Sequence, residues 1–206
     1  MRFSGRHVSV CVMHTIESYN NQYLKGKTAM SEPSDRLINL FGALALGITD
    51  RVRSAALDGM ALGGETAAAL VVIGHAPDLS IDQLGGVLRL SHPGTVRLVD
   101  RLASADLAVR SVAPHDRRVV ALNLTEAGQM HRNALLERRS EALAAVLKVV
   151  APEDRAVLER VADAMLRTLP HDASSALTVC RFCNERWCAD CPMDTFGVLS
   201  ENSGAV

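Results

Sequence analysis

Apolar positions along this chain recur with two periods, and the switches between them outline its plan. Leu37, Leu40, Phe41, Leu44, Ile48 and Val52 return at helical spacing, which predicts a helix opened by Ser34 or Asp35 and running to about Leu57. A second helix is expected from Glu65 to Ile73, stopped at Gly74-His75-Ala76-Pro77 because Pro77 forbids continuation. Ser80-Ile81-Asp82-Gln83 reads as a capping box, followed by Leu84, Val87 and Leu88 as an apolar stripe. The pattern breaks at Leu90-Ser91-His92-Pro93, where Ser91 suits an N-cap and Pro93 the first turn of a new helix. That helix, about Pro93 to Ala105, places Leu98, Leu102 and Ala105 on one face. Gly94, Arg97, Arg101 and Ser104 fall on another.

The period then drops towards that of strands. Leu107 to Val112 and Val119 to Leu124 are rich in β-branched and aliphatic residues, and Ala113 to Arg118 joins them as a turn carrying two arginines. Thr125 caps a long helix expected to reach Val150, with Glu126 suited to its positive end. Pro152 opens a last long helix to about Leu169, with Val157, Leu158, Val161 and Met165 as its stripe. The expected fold is mainly α with a small β-hairpin wing, a winged helix-turn-helix flanked by long dimerisation helices. Such helices carry more apolar surface than one protomer can bury, which predicts a symmetric homodimer.

The run LSHPGTVRLVDRLASADLAVR, followed by HDRRVVALNLTEAGQ, resembles the MarR family (multiple antibiotic resistance regulators). By order of elements the resemblance spans roughly Leu37 to Leu169, and it is sharpest over Leu90 to Gly128. Its most specific part is Asp116-Arg117-Arg118 feeding into Leu-Asn-Leu-Thr-Glu-Ala-Gly. At the start of the recognition helix, His92-Pro93-Gly94 is less polar than in many relatives. The resemblance implies a homodimeric transcription regulator, a repressor in the commonest case. It would grip a palindromic operator in double-stranded DNA and release it on meeting a signal. It also implies a small phenolic or lipophilic effector, lodged between the dimer helices and the DNA-binding lobe.

Charge supports this locally rather than globally. The chain has 206 residues and a formal charge of −1. Yet Arg89, Arg97, Arg101, Arg110, Arg117 and Arg118 face only Asp100, Asp106 and Asp116 within the same stretch. A basic footprint on a neutral body suffices for DNA, since affinity follows the contacts made with phosphate. Arg97 and Arg101 are the foremost candidates for groove or phosphate contact. Their bland alternative is an ion pair with Asp100 or a neighbouring helix. Ser91, Gly94 and Thr95 lie where helix-start amides and hydroxyls suit phosphate. His92 and His115 are candidate phosphate neighbours. Asp116 is expected to fix the wing, with Arg117 reaching DNA and Arg118 pairing inside the fold.

Hydrophobic residues make up 48% but aromatics only 3%, so Leu, Val and Ala must fill the core. No apolar run approaches a membrane span and no secretory signal is evident, so a cytoplasmic location is expected. Three segments are expected: a flexible extension over 1–33, with Met30 resembling a natural start; the winged-helix and dimerisation domain over 34–170; and a cysteine-rich tail over 171–206.

That tail carries Cys180, Cys183, Cys188 and Cys191 in a C-x2-C-x4-C-x2-C array. In a reducing compartment metal ligation is the default reading of such clustering. Four thiolates suit zinc, which would clip the tail together with Phe182 and Trp187 against the dimer. They also suit an iron–sulfur cluster, which would make the tail a sensor. A plain redox dithiol is the third reading, and His171 is a possible substitute ligand. Cys11 stands alone and reads as inert. A rival class, an iron–sulfur or dithiol redox protein using the winged helix only for assembly, needs a substrate or nucleotide site. No GxGxxG after a strand, phosphate loop, HExxH or GxSxG is present, so no enzyme is expected. A partner-binding winged helix without operator affinity is a third possibility.

Overall fold

The order of caps and breakers in the sequence is realised almost element by element. A computed structural model describes residues 32–57, 63–112, 120–188 and 190–199. It comprises two units, 1–45 and 46–206. The expected flexible extension up to residue 31, Cys11 and the wing tip 113–119 lie outside the described residues.

Helix α1, Asp35–Leu57, opens where Ser34 Oγ accepts from the Leu37 amide at 3.2 Å. In the first unit its Leu37, Ile38, Leu40, Phe41 and Leu44 are all about half exposed. In the second unit, α2 (Gly64–His75) is apolar on every side and buried from Thr66 to Ile73, which makes it the axis of the core. It stops ahead of Pro77, and Asp78 turns the chain with φ of 63°. Asn123 holds that turn by donating to the Asp78 carboxylate at 2.8 Å.

The turn feeds β1, Leu79–Ser80, a strand the periodicity did not show. Two residues are too short to display alternation. Its place comes from pairing Leu79 with Leu122 and Ser80 with Ala121 across the sheet. Helix α3, Ile81–Leu88, starts with the full capping box: Ser80 Oγ accepts from the Gln83 amide, and Gln83 Oε1 from the Ser80 amide at 2.8 Å. Arg89 ends it in the left-handed region at φ of 56°. Helix α4, His92–Ser104, follows with Ser91 as N-cap and buries Thr95, Leu98, Val99 and Leu102. Ala105, expected on that apolar face, is instead the exposed C-cap.

Strands β2 (Ala108–Val112) and β3 (Val120–Leu124) pair antiparallel from Ala108↔Leu124 to Val112↔Val120, giving the sheet order β1-β3-β2. Thr125 then caps α5, Glu126–Leu147, accepting from the Gly128 amide at 2.9 Å while its hydroxyl donates to the Asp106 carbonyl. Helix α6, Pro152–Leu166, buries none of its residues. Both long helices end three residues earlier than expected. The residue before a proline is pushed out of helical geometry, so Pro152 and Pro170 act upstream of themselves.

Helix α7, Ala173–Cys180, opens on a second capping box, Asp172 with Ser175. The hydrogen bond from the Ser175 hydroxyl holds the Asp172 carboxyl below its usual range. Leu177 packs against the main core, which joins Leu70, Ile73, Leu84, Val87, Leu98 and Leu102. Thr178 donates to the Val87 carbonyl of α3 at 2.8 Å. The cysteine-rich stretch therefore begins by docking on the helix-turn-helix.

Gly128 lets α5 start directly against β2, because any Cβ there would collide with the Leu107 carbonyl. Gly128→Ala is expected to cost about 2 kcal/mol, since neither backbone can yield cheaply. Urea denaturation reads this, and an unchanged midpoint would mean that α5 is not seated on β2.

Candidate nucleic-acid interface

The outward face of α4 is set by what its neighbours occupy. Its inward positions follow the spacing i, i+3, i+4, i+7 from Thr95 to Leu102. Arg97 and Arg101 are left exposed. Asp100, the anion that could have neutralised either, is instead held by Arg110 of β2 at 2.7 Å. Among the described residues the side chains of Arg97 and Arg101 make no hydrogen bond or ion pair. Both guanidinium groups are therefore available to an external anion.

The helix start differs from expectation. Thr95 is 0% exposed and its hydroxyl donates to the Ser91 carbonyl at 3.1 Å. It packs where a Cβ on Gly85 of α3 would lie only 2.8 Å from its Oγ1. Thr95 is thus a packing residue of the helix-helix turn, and its place among the DNA contacts is withdrawn. Ser91 is exposed, but its Oγ accepts from the Gly94 amide at 3.3 Å, and Gly94 is half-buried. His92 is exposed, with Nδ1 2.6 Å from the Asp82 carboxylate of α3, so a phosphate would have to share it. His115, Asp116, Arg117 and Arg118 fall outside the described residues. Sequence reasoning missed Arg110 as the residue that frees the α4 arginines. Its signal was an arginine at an outward strand position ten residues beyond an aspartate on the preceding helix.

The cysteines form two neighbouring pairs. Cys180 is buried at the end of α7, Cys183 and Cys191 are half-buried and Cys188 is exposed; all four are free thiols. Cys180, Cys183 and Cys191 pack in one small apolar cluster, with Cys188 exposed beside it. Arg139 of α5 donates to Cys183 Sγ at 3.9 Å. The Cys180 contact, with the Arg139 and Arg181 charges, brings the Cys183 thiol down to about 6. The same contact, with burial, pushes Cys180 far up. Burial, with the Cys191 contact, raises Cys188 to about 11. Among the described residues no three such side chains are already gathered as a metal-holding group. His171 is exposed beside Asp172, away from this role. Phe182 packs on the Val71, Leu135 and Leu136 cluster, whereas Trp187 is 84% exposed, so only the first is clipped down.

Between the pairs, Glu185 reaches back to Arg132 of α5 at 2.5 Å. Arg132 is 1% exposed and its Nε lacks a hydrogen-bond partner, as does Nδ1 of His75, which lies 3.7 Å from the same carboxylate.

Residues 62–119 match the MarR family model. The fold is the MarR winged helix. An uncharacterised HTH-type transcriptional regulator of Bacillus subtilis, YsmB, is 30% identical over 83 residues, 40% of this chain; the match spans only 57% of the relative's length. A MarR family protein of Bacillus stearothermophilus superposes with a TM-score of 0.57 at 26% identity, covering 65% of this chain and 96% of that one. Streptococcus pneumoniae FabT, solved in complex with DNA, gives 0.56 at 19%, covering 66% and 97%. Two-thirds of this chain thus accounts for nearly the whole of either protein.

Leaving Arg132 buried without its carboxylate is costly, whereas an apolar replacement of both partners is not. Glu185→Gln is expected to lower stability by about 2 kcal/mol, and Arg132→Met with Glu185→Gln to lose clearly less than the two single changes summed. A double-mutant cycle by denaturation that came out additive would remove Glu185 as the partner.

Proposed function

We propose that this protein is a sequence-specific DNA-binding transcription regulator that represses as a homodimer on a palindromic operator in the cytoplasm. The observation that carries the reading is the exposed, unpaired Arg97 and Arg101 on a helix whose opposite face is core. Guanidinium groups in that position suit guanine edges and phosphate. The winged-helix fold, the family match over 62–119 and FabT's complex with DNA favour the same use of the same element. The helix start contributes Ser91, His92 and Gly94, and the wing His115, Arg117 and Arg118. Against a redox protein using this fold only for assembly stands YsmB, which is described as a regulator.

The dimer reading rests on uncovered apolar surface. Val157, Leu158, Val161 and Met165 of α6 are about two-fifths exposed, and α1 shows a comparable row. A second copy covers such faces most economically and sets two α4 helices about one DNA turn apart, roughly 34 Å. A small lipophilic effector between dimer helices and DNA-binding lobe would bias that spacing. Among the described residues no helix is long and apolar enough to cross a membrane.

Fluorescence anisotropy with duplex DNA from the protein's own upstream region tests the core of this reading. Arg97→Ala and Arg101→Ala should each weaken binding and lower the salt slope by about one. Unchanged affinity and slope in both would end the assignment of α4. Val161→Glu should shift sedimentation from dimer to monomer and cost at least roughly tenfold in operator affinity; a wild-type protein already monomeric at micromolar concentration would overturn the homodimer.

A further inference from the structure

The contacts of the cysteine stretch join two observations that the DNA-binding reading leaves unused. One is the pair of thiol pairs; the other is the seat they occupy. Cys180, Cys183 and Cys191 pack with Ala176, Met193 and Phe196 in a small apolar cluster of their own. Helix α7, which ends in Cys180, is fixed to α3 through Thr178, and the segment between the pairs is fixed to α5 through Glu185. Among the described residues the cysteines therefore begin at the end of the helix that docks on the first helix of the helix-turn-helix.

We propose that Cys180, Cys183, Cys188 and Cys191 together bind one thiophilic metal centre, and that closing this centre latches the tail onto α3. This deepens the regulator reading and rests on it for its consequence, though the site itself does not. Cys180, Cys183 and Cys191 already pack together, and the turn in which the Cys183 amide donates to the Cys180 carbonyl at 2.7 Å sets the first two side by side, a start on a tetrahedral set. Cys191 already packs against the Cys180 cluster, so loading draws in the exposed Cys188 and tightens the segment between the pairs. Four thiols exchange four protons for four sulfur–metal bonds, so a divalent ion leaves a net charge of −2 on the site. Arg139, already donating to Cys183, is placed to offset part of it. The apolar cluster keeps water from the sulfurs on one side.

The latch acts on DNA through α3. Gly85 of α3 lies against Thr95 of α4, so a change in the seating of α3 is passed to the recognition helix without touching its outward face. Loaded protein holds the helix-turn-helix in one arrangement; metal loss or thiol oxidation releases it.

The test uses the full chain, purified without oxygen. One zinc per chain and no colour, or iron with sulfide and a visible absorption band, each supports the centre and identifies it. Chelated protein should regain one equivalent of added Co(II) with a tetrahedral thiolate spectrum. Cys188→Ser, at an exposed position whose loss does not threaten folding, should abolish that uptake. A metal-free preparation that takes up neither Zn(II) nor Co(II), or unchanged uptake in Cys188→Ser, overturns the site. For the latch, hydrogen exchange should show faster amides in α7 and the end of α3 after chelation, and operator affinity should fall roughly tenfold. Thr178→Val should retain metal yet lose most of that difference. Identical exchange with and without metal overturns the latch. Failure of loaded protein to bind any duplex would strike the regulator reading while leaving the metal result standing.

Discussion

One buried guanidinium constrains how this fold can close. Arg132 projects from α5 into a nearly dry interior, where a charge without a partner is among the most expensive things a protein can hold. It passes over Gly74, where any side chain would collide with it, and reaches Glu185 fifty-three positions further along the chain. The carboxylate comes from the segment between the two cysteine pairs. The last part of the sequence thus supplies the counter-charge for the centre of the body. The charge on Arg132 is countered only when that part is in place.

This explains the division between what the sequence displayed and what it concealed. Local devices were legible because each is complete within a short run of chain: the Ser80–Gln83 box, Ser91 before Pro93, Thr125 as a cap, and the stripes of α4 and α6. The order helix, turn, helix, hairpin, helix follows from these alone. What stayed hidden depends on partners far away in sequence. β1 exists because Leu79 and Ser80 meet β3, not because two residues have a pattern. Arg132 and Glu185 each look like surface charges until they are brought together. Thr95 was misplaced because its hydroxyl suggested phosphate, while its spacing to Leu98, Val99 and Leu102 already put it on the core side. Position within the helix, rather than side-chain chemistry, was the better guide there.

The reading face shows the same priority of geometry over composition. A chain of formal charge −1 can present a basic edge only if its anions are kept elsewhere. Asp100 is spent on Arg110, and Asp82 on His92. Both bonds tie neighbouring elements together, the first β2 to α4, the second α3 to α4. They stabilise the head and clear its outward arginines at once. Both pairs are exposed, so their energetic worth is small and their main effect is on where charge is left over.

The position of the cysteine stretch matters for the same reason. A regulatory element laid across α4 would compete with DNA for the same arginines and could only block. Seated on α3 through Thr178, the latch proposed above would leave that face open and act on the angle at which the face is presented. The packed turn between Gly85 and Thr95 offers little slack, since close-packed interiors transmit displacement rather than absorb it. A dimer that must match two successive grooves is sensitive to small errors in that angle, because both heads must fit together. On the proposed function, control from behind α4 would need only a modest movement to change operator affinity, and the cysteines at and beyond the end of α7 stand where such a movement would start.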